Sequence, residues 1–190
     1  MKLQTQSDKQ NAFTLIELMF TIALSMILLS VGIPSFKDMV QKSKVTAQIN
    51  QLRGALFLAR ETAIQRNKKT VICPSSDSTS CSNSWSNGYI VFIDQNEDRT
   101  FNDGDILMQT YQNIEKDIMI SWRAFGYKNS LQWLPTGITN HQNGTFEICY
   151  LNNQELAKAL IVSKSGNVRL SKDLDGDGID ENASGDDVRC

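Results

Sequence analysis

From Leu18 to Ile33 the chain reads LMFTIALSMILLSVGI without a charge, and counted from Phe13 the run reaches 21 residues with Glu17 as its one ionisable side chain. At about 1.5 Å per residue a helix of that length covers about 32 Å, enough to cross a bilayer. Residues 13–34 are therefore expected to form a transmembrane helix. A cleaved secretory signal is the competing reading, but its apolar region is usually shorter and ends in a small-residue cleavage site. Val31-Gly32-Ile33-Pro34 is not such a site. Lys2 and Lys9 precede the run and Lys37, Lys42 and Lys44 follow it, so the flanking charges leave orientation open. Glu17 is the first functional candidate, because an unpaired carboxylate in hydrocarbon costs about 2.5 to 3.5 kcal/mol on insertion scales and calls for a partner.

Past Pro34 the all-round apolar pattern narrows to a stripe. Val45, Ile49, Leu52, Leu56, Ala59 and Ala63 recur at steps of four and three, with Lys42, Lys44, Gln48, Arg53, Arg60 and Arg66 mostly elsewhere. That spacing predicts an amphipathic helix over 35–66, continuing the membrane helix to about 50 residues and packing on a sheet. Gly32 and Pro34 at the junction are expected to bend or loosen it.

Beyond Asn67 the residues are those of strands: Thr70–Cys73, Gly88–Ile93, Ile106–Tyr111, Ile118–Ala124, Leu131–Leu134, Thr145–Leu151, Leu160–Ser163 and Asn167–Leu170, separated by turn signals such as Asp103-Gly104 and Ser165-Gly166. One long helix followed by many short strands predicts an α+β domain, an antiparallel sheet lying on the helix, with residues 67–190 as a β-rich head.

Four cysteines, Cys73, Cys81, Cys149 and Cys190, lie outside the membrane run. An even count there fits disulfides in an oxidising compartment, and the absence of a CxxC pair disfavours zinc. Three pairings are open. The favoured one joins Cys73 to Cys81 around a serine-rich loop and Cys149 to Cys190, pinning the C-terminus to a strand.

The net charge of −2 hides a split, because residues 35–172 carry sixteen Lys and Arg against twelve Asp and Glu, while seven acids face Arg189 alone in the last eighteen residues. Within that tail, Asp173, Asp175, Asp177, Ile179 and Asp180 follow the alternation of a calcium loop, with Gly178 after the third acid. The twelfth place is Ser184 and not a bidentate glutamate, so calcium and a solvated acidic turn are both readings of the tail. A second cluster, Asp94, Asn96, Asp98, Asp103 and Asp105, has Arg99 where such a loop has glycine, and reads as a polar hairpin tip.

No catalytic constellation stands out. The single histidine, His141, falls in a turn, and there is no GxSxG, no P-loop and no pair of glutamates on a helix. A non-enzymatic role is expected.

The segment Ala12-Phe13-Thr14-Leu15-Ile16-Glu17-Leu18, with a short polar leader before it and the apolar run after it, resembles the class III signal of type IV prepilins and type II secretion pseudopilins. The resemblance implies that a prepilin peptidase on the cytoplasmic side removes the leader, residues 1–12, and methylates Phe13, with Ala12 standing where the family usually has glycine. It also implies that Glu17 pairs with the freed amino terminus of a neighbouring subunit, which turns a costly charge into a device for register.

Downstream, Trp85, then Gly88-Tyr89-Ile90-Val91-Phe92 with the acidic Asp94 to Asp105, then Leu134-Pro135-Thr136-Gly137, and then Ile161-Val162-Ser163 leading to Ser165-Gly166-Asn167-Val168-Arg169 resemble in their order the GspH/FimT branch of minor pilins, which includes FimU-like proteins. The implied fold is the pilin fold, a helical spine with a β-rich head. The implied setting is the inner membrane, single-pass with the head in the periplasm, and afterwards an assembled filament. Implied partners are other minor and major pilins or pseudopilins and the prepilin peptidase.

Two functions follow. The first is a structural subunit that primes or caps a type IV pilus or a type II secretion pseudopilus. The second is a FimT-like DNA-binding minor pilin, a role that in some members uses a G-R-x-R motif. Here the matching residues are Gly166, Asn167, Val168 and Arg169, so the first arginine is absent; Lys164, Arg169 and Lys172 would meet phosphates while the acidic tail repels them.

Overall fold

The computed structural model describes residues 14–112, 114–127, 129–151 and 153–190. The leader with Ala12, and Phe13, lie outside them. Helix α1 runs Leu15–Arg66 and includes Pro34 without interruption. Residues 1–40 group as one unit and residues 41–190 as a second, and each is described by itself. In the first, every described side chain is exposed, including Leu15, Phe20, Leu24, Ile27 and Leu28, an arrangement suited to hydrocarbon and not to water.

The second unit holds the rest of α1 and eight strands: β1 Thr70–Pro74, β2 Tyr89–Ile93, β3 Ile106–Tyr111, β4 Ile118–Phe125, β5 Leu131–Trp133, β6 Asn143–Tyr150, β7 Asn153–Val162 and β8 Val168–Leu170. They divide into two four-stranded sheets, in the orders β3-β2-β1-β5 and β4-β6-β7-β8. All pairings are antiparallel.

The helical stripe is the spine of the core. Val45, Ile49, Leu52, Leu56, Ala59 and Ala63 are all buried, joined by Ala55, Gln48 and Thr62. The stripe and Ala55 share one apolar cluster with Ile72, Tyr89, Val91, Leu131 and Trp133 of the first sheet and Ile120, Trp122, Phe146, Ile148 and Leu160 of the second. Phe146 stacks on Trp122 at 4.2 Å and meets Trp85 edge-on at 4.8 Å. Truncating Leu52 or Leu56, both fully buried, to Ala is worth about 2 to 5 kcal/mol.

Each sheet has a second, smaller apolar patch on its outer face. Val71, Cys73, Ile90 and Phe92 are covered by Cys81 and Phe101, so both faces of β1 and β2 are buried. Cys149, Ala157 and Ala159 are covered by Val188, which draws the chain's end onto the second sheet. The disulfides Cys73–Cys81 and Cys149–Cys190, the pairing favoured from the sequence, staple these two covers.

Candidate functional site

Glu17 sits in the first turn of α1, and its backbone N–H donates to Thr14 Oγ1 at 3.3 Å. Thr14 thereby caps the helix, and a carboxylate in that turn faces the positive end of the helix dipole. Among the described residues the Glu17 carboxylate makes no ion pair, and the side chain is exposed. The helix dipole favours it, but no described cation answers its charge.

Two of the downstream segments that carried the resemblance meet at one partly buried latch. Arg60 of α1 donates from Nε to the Gly137 carbonyl at 3.0 Å and from Nη1 to Asn167 Oδ1 at 3.0 Å. Gly166 lies so close to Gly137 that a Cβ on it would come within 2.0 Å of the Gly137 carbonyl oxygen. Thr139 extends the latch, donating its N–H to the Lys164 carbonyl at 3.1 Å and its hydroxyl to the same oxygen at 3.2 Å. Leu134–Gly137 and Ser165–Arg169 are therefore held together through backbone geometry, and the latch locks helix to head. Sequence reasoning placed Arg60 off the apolar stripe and gave it no task.

Lys164 and Arg169 line one shallow depression with Ile161, Ser163 and Asn143. The Lys164 ammonium is 5.9 Å from the ring centroid of Phe125, which is 73 % exposed. Lys172 is not in that lining. Its backbone bridges to Glu181, whose N–H donates to the Lys172 carbonyl at 3.1 Å, so it belongs with the acidic tail. His141 is exposed in a turn at φ 59, as its setting suggested.

In the tail, carboxylate oxygens of Asp173, Asp175 and Asp177 lie within 4.8 Å of one another, and all three residues are exposed. Each also accepts backbone amides of its own turn: Gly176 and Gly178 donate to Asp173, Asp177 to Asp175, and Ile179 to Asp177. Asp180 does not join them. It is buried, accepting from Lys158 Nζ and, at 2.6 Å, from Ser171 Oγ. Glu181 is buried as well, with both oxygens on the Leu174 N–H. The sequence pattern put Asp180 in the ligand set; the fold uses it as the anchor of the tail, because the charge of Lys158 on β7 offsets its burial.

Residues 48–166 match the family described as "Type II transport protein GspH", and residues 7–33 match the prokaryotic N-terminal methylation motif. A fimbrial protein of Pseudomonas aeruginosa is 39 % identical over 62 residues, which is 33 % of this chain and 40 % of that protein. The chain thus spans about two-fifths of the length of the curated relatives it matches. In fold, the chain is similar to the crystal structure of the Pseudomonas aeruginosa type IV minor pilin FimU, with a TM-score of 0.54, 15 % identity, and coverage of 70 % of this chain and 92 % of that one.

Proposed function

We propose that this chain, which belongs to the GspH family of type II transport proteins, is a minor pilin or pseudopilin subunit that primes or caps assembly of a type IV pilus or a type II secretion pseudopilus. The observation that carries the reading is Glu17: an exposed carboxylate, unpaired among the described residues, in the first turn of an exposed apolar helix. Such a charge is costly in hydrocarbon and becomes favourable when geometry brings an amine to it. The amine proposed is the methylated amino terminus of Phe13 on a neighbouring subunit, freed by prepilin peptidase after Ala12.

Anchoring in the inner membrane is consistent with the apolar helix and with family membership. A periplasmic head is proposed, supported by two disulfides, which persist in oxidising compartments. Calcium is proposed for Asp173, Asp175 and Asp177, whose converging charges repel unless something neutralises them.

The test is Glu17→Ala in the full-length chain. The variant is expected to be cleaved and membrane-bound like the wild type, to be absent from sheared filaments, and to leave filament number as low as deletion does. Normal incorporation overturns the pairing role.

DNA binding is the second reading, favoured by Lys164 and Arg169 beside the exposed ring of Phe125, since basic groups with an aromatic platform suit single strands. It ranks lower because Gly166 and Asn167 are engaged in the Arg60 latch and seven acids crowd the tail. A low-salt mobility shift by the full chain, lost in Lys164→Ala with Arg169→Ala, reverses the ranking.

A further inference from the structure

The β2–β3 loop reads from sequence as a polar hairpin tip, because Arg99 occupies the place where a calcium-binding loop turns on glycine. The structure removes that objection. Arg99 has φ 67, the left-handed conformation that the glycine supplies in such loops. Counted from Asp94, side-chain oxygens fall at the first, third, fifth, ninth and twelfth places: Asp94, Asn96, Asp98, Asn102 and Asp105. The Thr100 carbonyl takes the seventh. One departure remains, aspartate instead of glutamate at the twelfth.

The independent observation is Asp94 itself, which is 1 % exposed. Its Oδ2 accepts from the Arg99 N–H of the loop at 3.0 Å and from Gln132 Nε2 of β5 at 2.8 Å, so the carboxylate stands where the loop meets the sheet. Its Oδ1 is equally buried and has no hydrogen-bond partner among the described residues. No cation forms an ion pair with it among the described residues. Asp98 and Asp105 turn their carboxylates into the same loop, Asp98 accepting the Thr100 N–H at 2.7 Å and Asp105 the N–H groups of Gln95 and Asn102 at 2.9 and 3.1 Å. A buried anionic oxygen flanked by two further carboxylates is short of a positive charge.

Arg99 is near but forms no ion pair with Asp94 among the described residues. Its guanidinium is stacked over Tyr127, 4.0 Å from the ring centroid, and its Nη1 has no hydrogen-bond partner. Asn96 and Asn102 already converge, both donating from Nδ2 to Asp98 Oδ2, at 2.9 and 2.7 Å. A half-turn of each amide presents oxygen in place of nitrogen. Phe101, packed on Phe92 at 5.2 Å between centroids, holds the loop on the sheet.

We propose that Asp94–Asp105 is a divalent-cation site of the calcium class, with Asp94 Oδ1 as its buried anchor and Asn96, Asp98, Asn102 and Asp105 completing an all-oxygen shell. Calcium suits it better than magnesium, which demands near-ideal octahedral geometry and gives up water reluctantly. Aspartate at the twelfth place offers a shorter reach than glutamate, and the charge of Arg99 lies nearby. Both put the dissociation constant at the weak end, on the order of 10⁻⁴ to 10⁻³ M.

The test is calcium chloride titrated into the oxidised, detergent-solubilised full chain carrying Asp175→Ala, which isolates this loop from the acidic tail. Calorimetry reads the binding and hydrogen exchange reads the amides of 94–105. A binding event that protects those amides is expected, with magnesium chloride a poor substitute. Asp98→Asn, at an exposed position, should weaken it by roughly ten- to a hundredfold while the chain stays folded in chelator, and Arg99→Gly should tighten it. Absence of calcium-dependent protection at 94–105 overturns the proposal. So does unchanged affinity in a folded Asp98→Asn chain.

Discussion

Gln132 Nε2 donates to Asp94 Oδ2 at 2.8 Å, joining the middle of β5 to the start of the β2–β3 loop through two side chains that are each 1 % exposed. Gln132 spends its other groups on the same end of the head. Its Oε1 accepts from Asn140 Nδ2 at 2.7 Å, and its N–H donates to Gln142 Oε1 at 3.0 Å, while Gln142 Nε2 donates to the Ser130 carbonyl at 2.7 Å. Loops at that end are fixed by buried amides, each group satisfied in turn, in place of apolar contact. Asp94 Oδ1 is the unsatisfied member.

That geometry predicts an inverted pH dependence. The folded-state pKa of Asp94 is raised by burial, so between the ordinary carboxylate value and the raised one the folded chain binds more protons than the unfolded chain. Stability from this group is present at low pH and falls as pH rises through that window. Asn at this position can keep both amide donors on one oxygen. In chelator at neutral pH, Asp94→Asn is therefore expected to be at least as stable as the wild type, with its advantage shrinking as pH drops towards 4. Urea denaturation across that range measures it, and an advantage that grows on acidification means that the fold favours the Asp94 carboxylate.

The helical stripe was legible because burial along α1 depends on one period, and Val45 to Ala63 follow it. Strand positions were legible where β-branched and aromatic residues cluster, as in Tyr89–Ile93. The first half of β7 was not, because Glu155-Leu156-Ala157-Lys158-Ala159 is made of good helix formers, and only pairing with β6 and the Lys158–Asp180 contact make it a strand. Likewise the strands read as one antiparallel sheet, since nothing local marks where one sheet ends and the next begins. The polar network and the Arg60 latch were hidden for a related reason: Gln132 between Leu131 and Trp133 looks like an outward residue of an alternating strand, and its partners are distant in the chain.

Gly166→Ala is predicted to be severely destabilising. At φ 80 the backbone is in the left-handed region, and the new Cβ would sit 2.0 Å from the Gly137 carbonyl oxygen. Left-handed strain and overpacking together cost about 2 to 5 kcal/mol. Gly54→Ala is the control, since Gly54 lies on the exposed side of α1 and an added methyl would meet nothing within 4 Å. It should stabilise by about 0.5 to 1 kcal/mol. Thermal melts of the two variants moving in opposite directions is the expected result; similar melts would mean that Gly166 has room the latch does not allow.

Replacing Cys149 and Cys190 with Ser together opens a bridge between residues 41 apart in sequence. In the chain-entropy account that costs about 4 kcal/mol. The loss should be uneven. Val188 covers Cys149, Ala157 and Ala159, so residues near it should exchange their amides faster. Asp180, held by Lys158 and Ser171, should keep residues 172–181 protected. Uniform loss of protection across the tail would show that the disulfide, and not Asp180, is its anchor.

The acidic tail supplies the last prediction. Asp173, Asp175 and Asp177 bring three carboxylates within 4.8 Å while remaining exposed, and the chain around them is held at both ends, before them by the backbone bridge from Lys172 to Glu181 and after them by Asp180 against Lys158 of β7. A loop already confined in this way loses little further freedom on closing around an ion, which favours weak but real binding. An ion that binds only the folded chain stabilises it in proportion to the logarithm of its concentration once above the dissociation constant. The melting temperature of an Asp98→Asn chain, in which the β2–β3 loop is disabled, should therefore rise with millimolar calcium and return with chelator. Adding Asp175→Ala should abolish that rise and leave the calcium-free melt nearly unchanged, because the Asp175 carboxylate's described bond inside the protein is to the N–H of Asp177, in an exposed turn. Identical melts in calcium and in chelator before Asp175 is touched would make the tail a set of capped turns, its three carboxylates serving the backbone amides of Gly176, Gly178, Asp177 and Ile179 and nothing else.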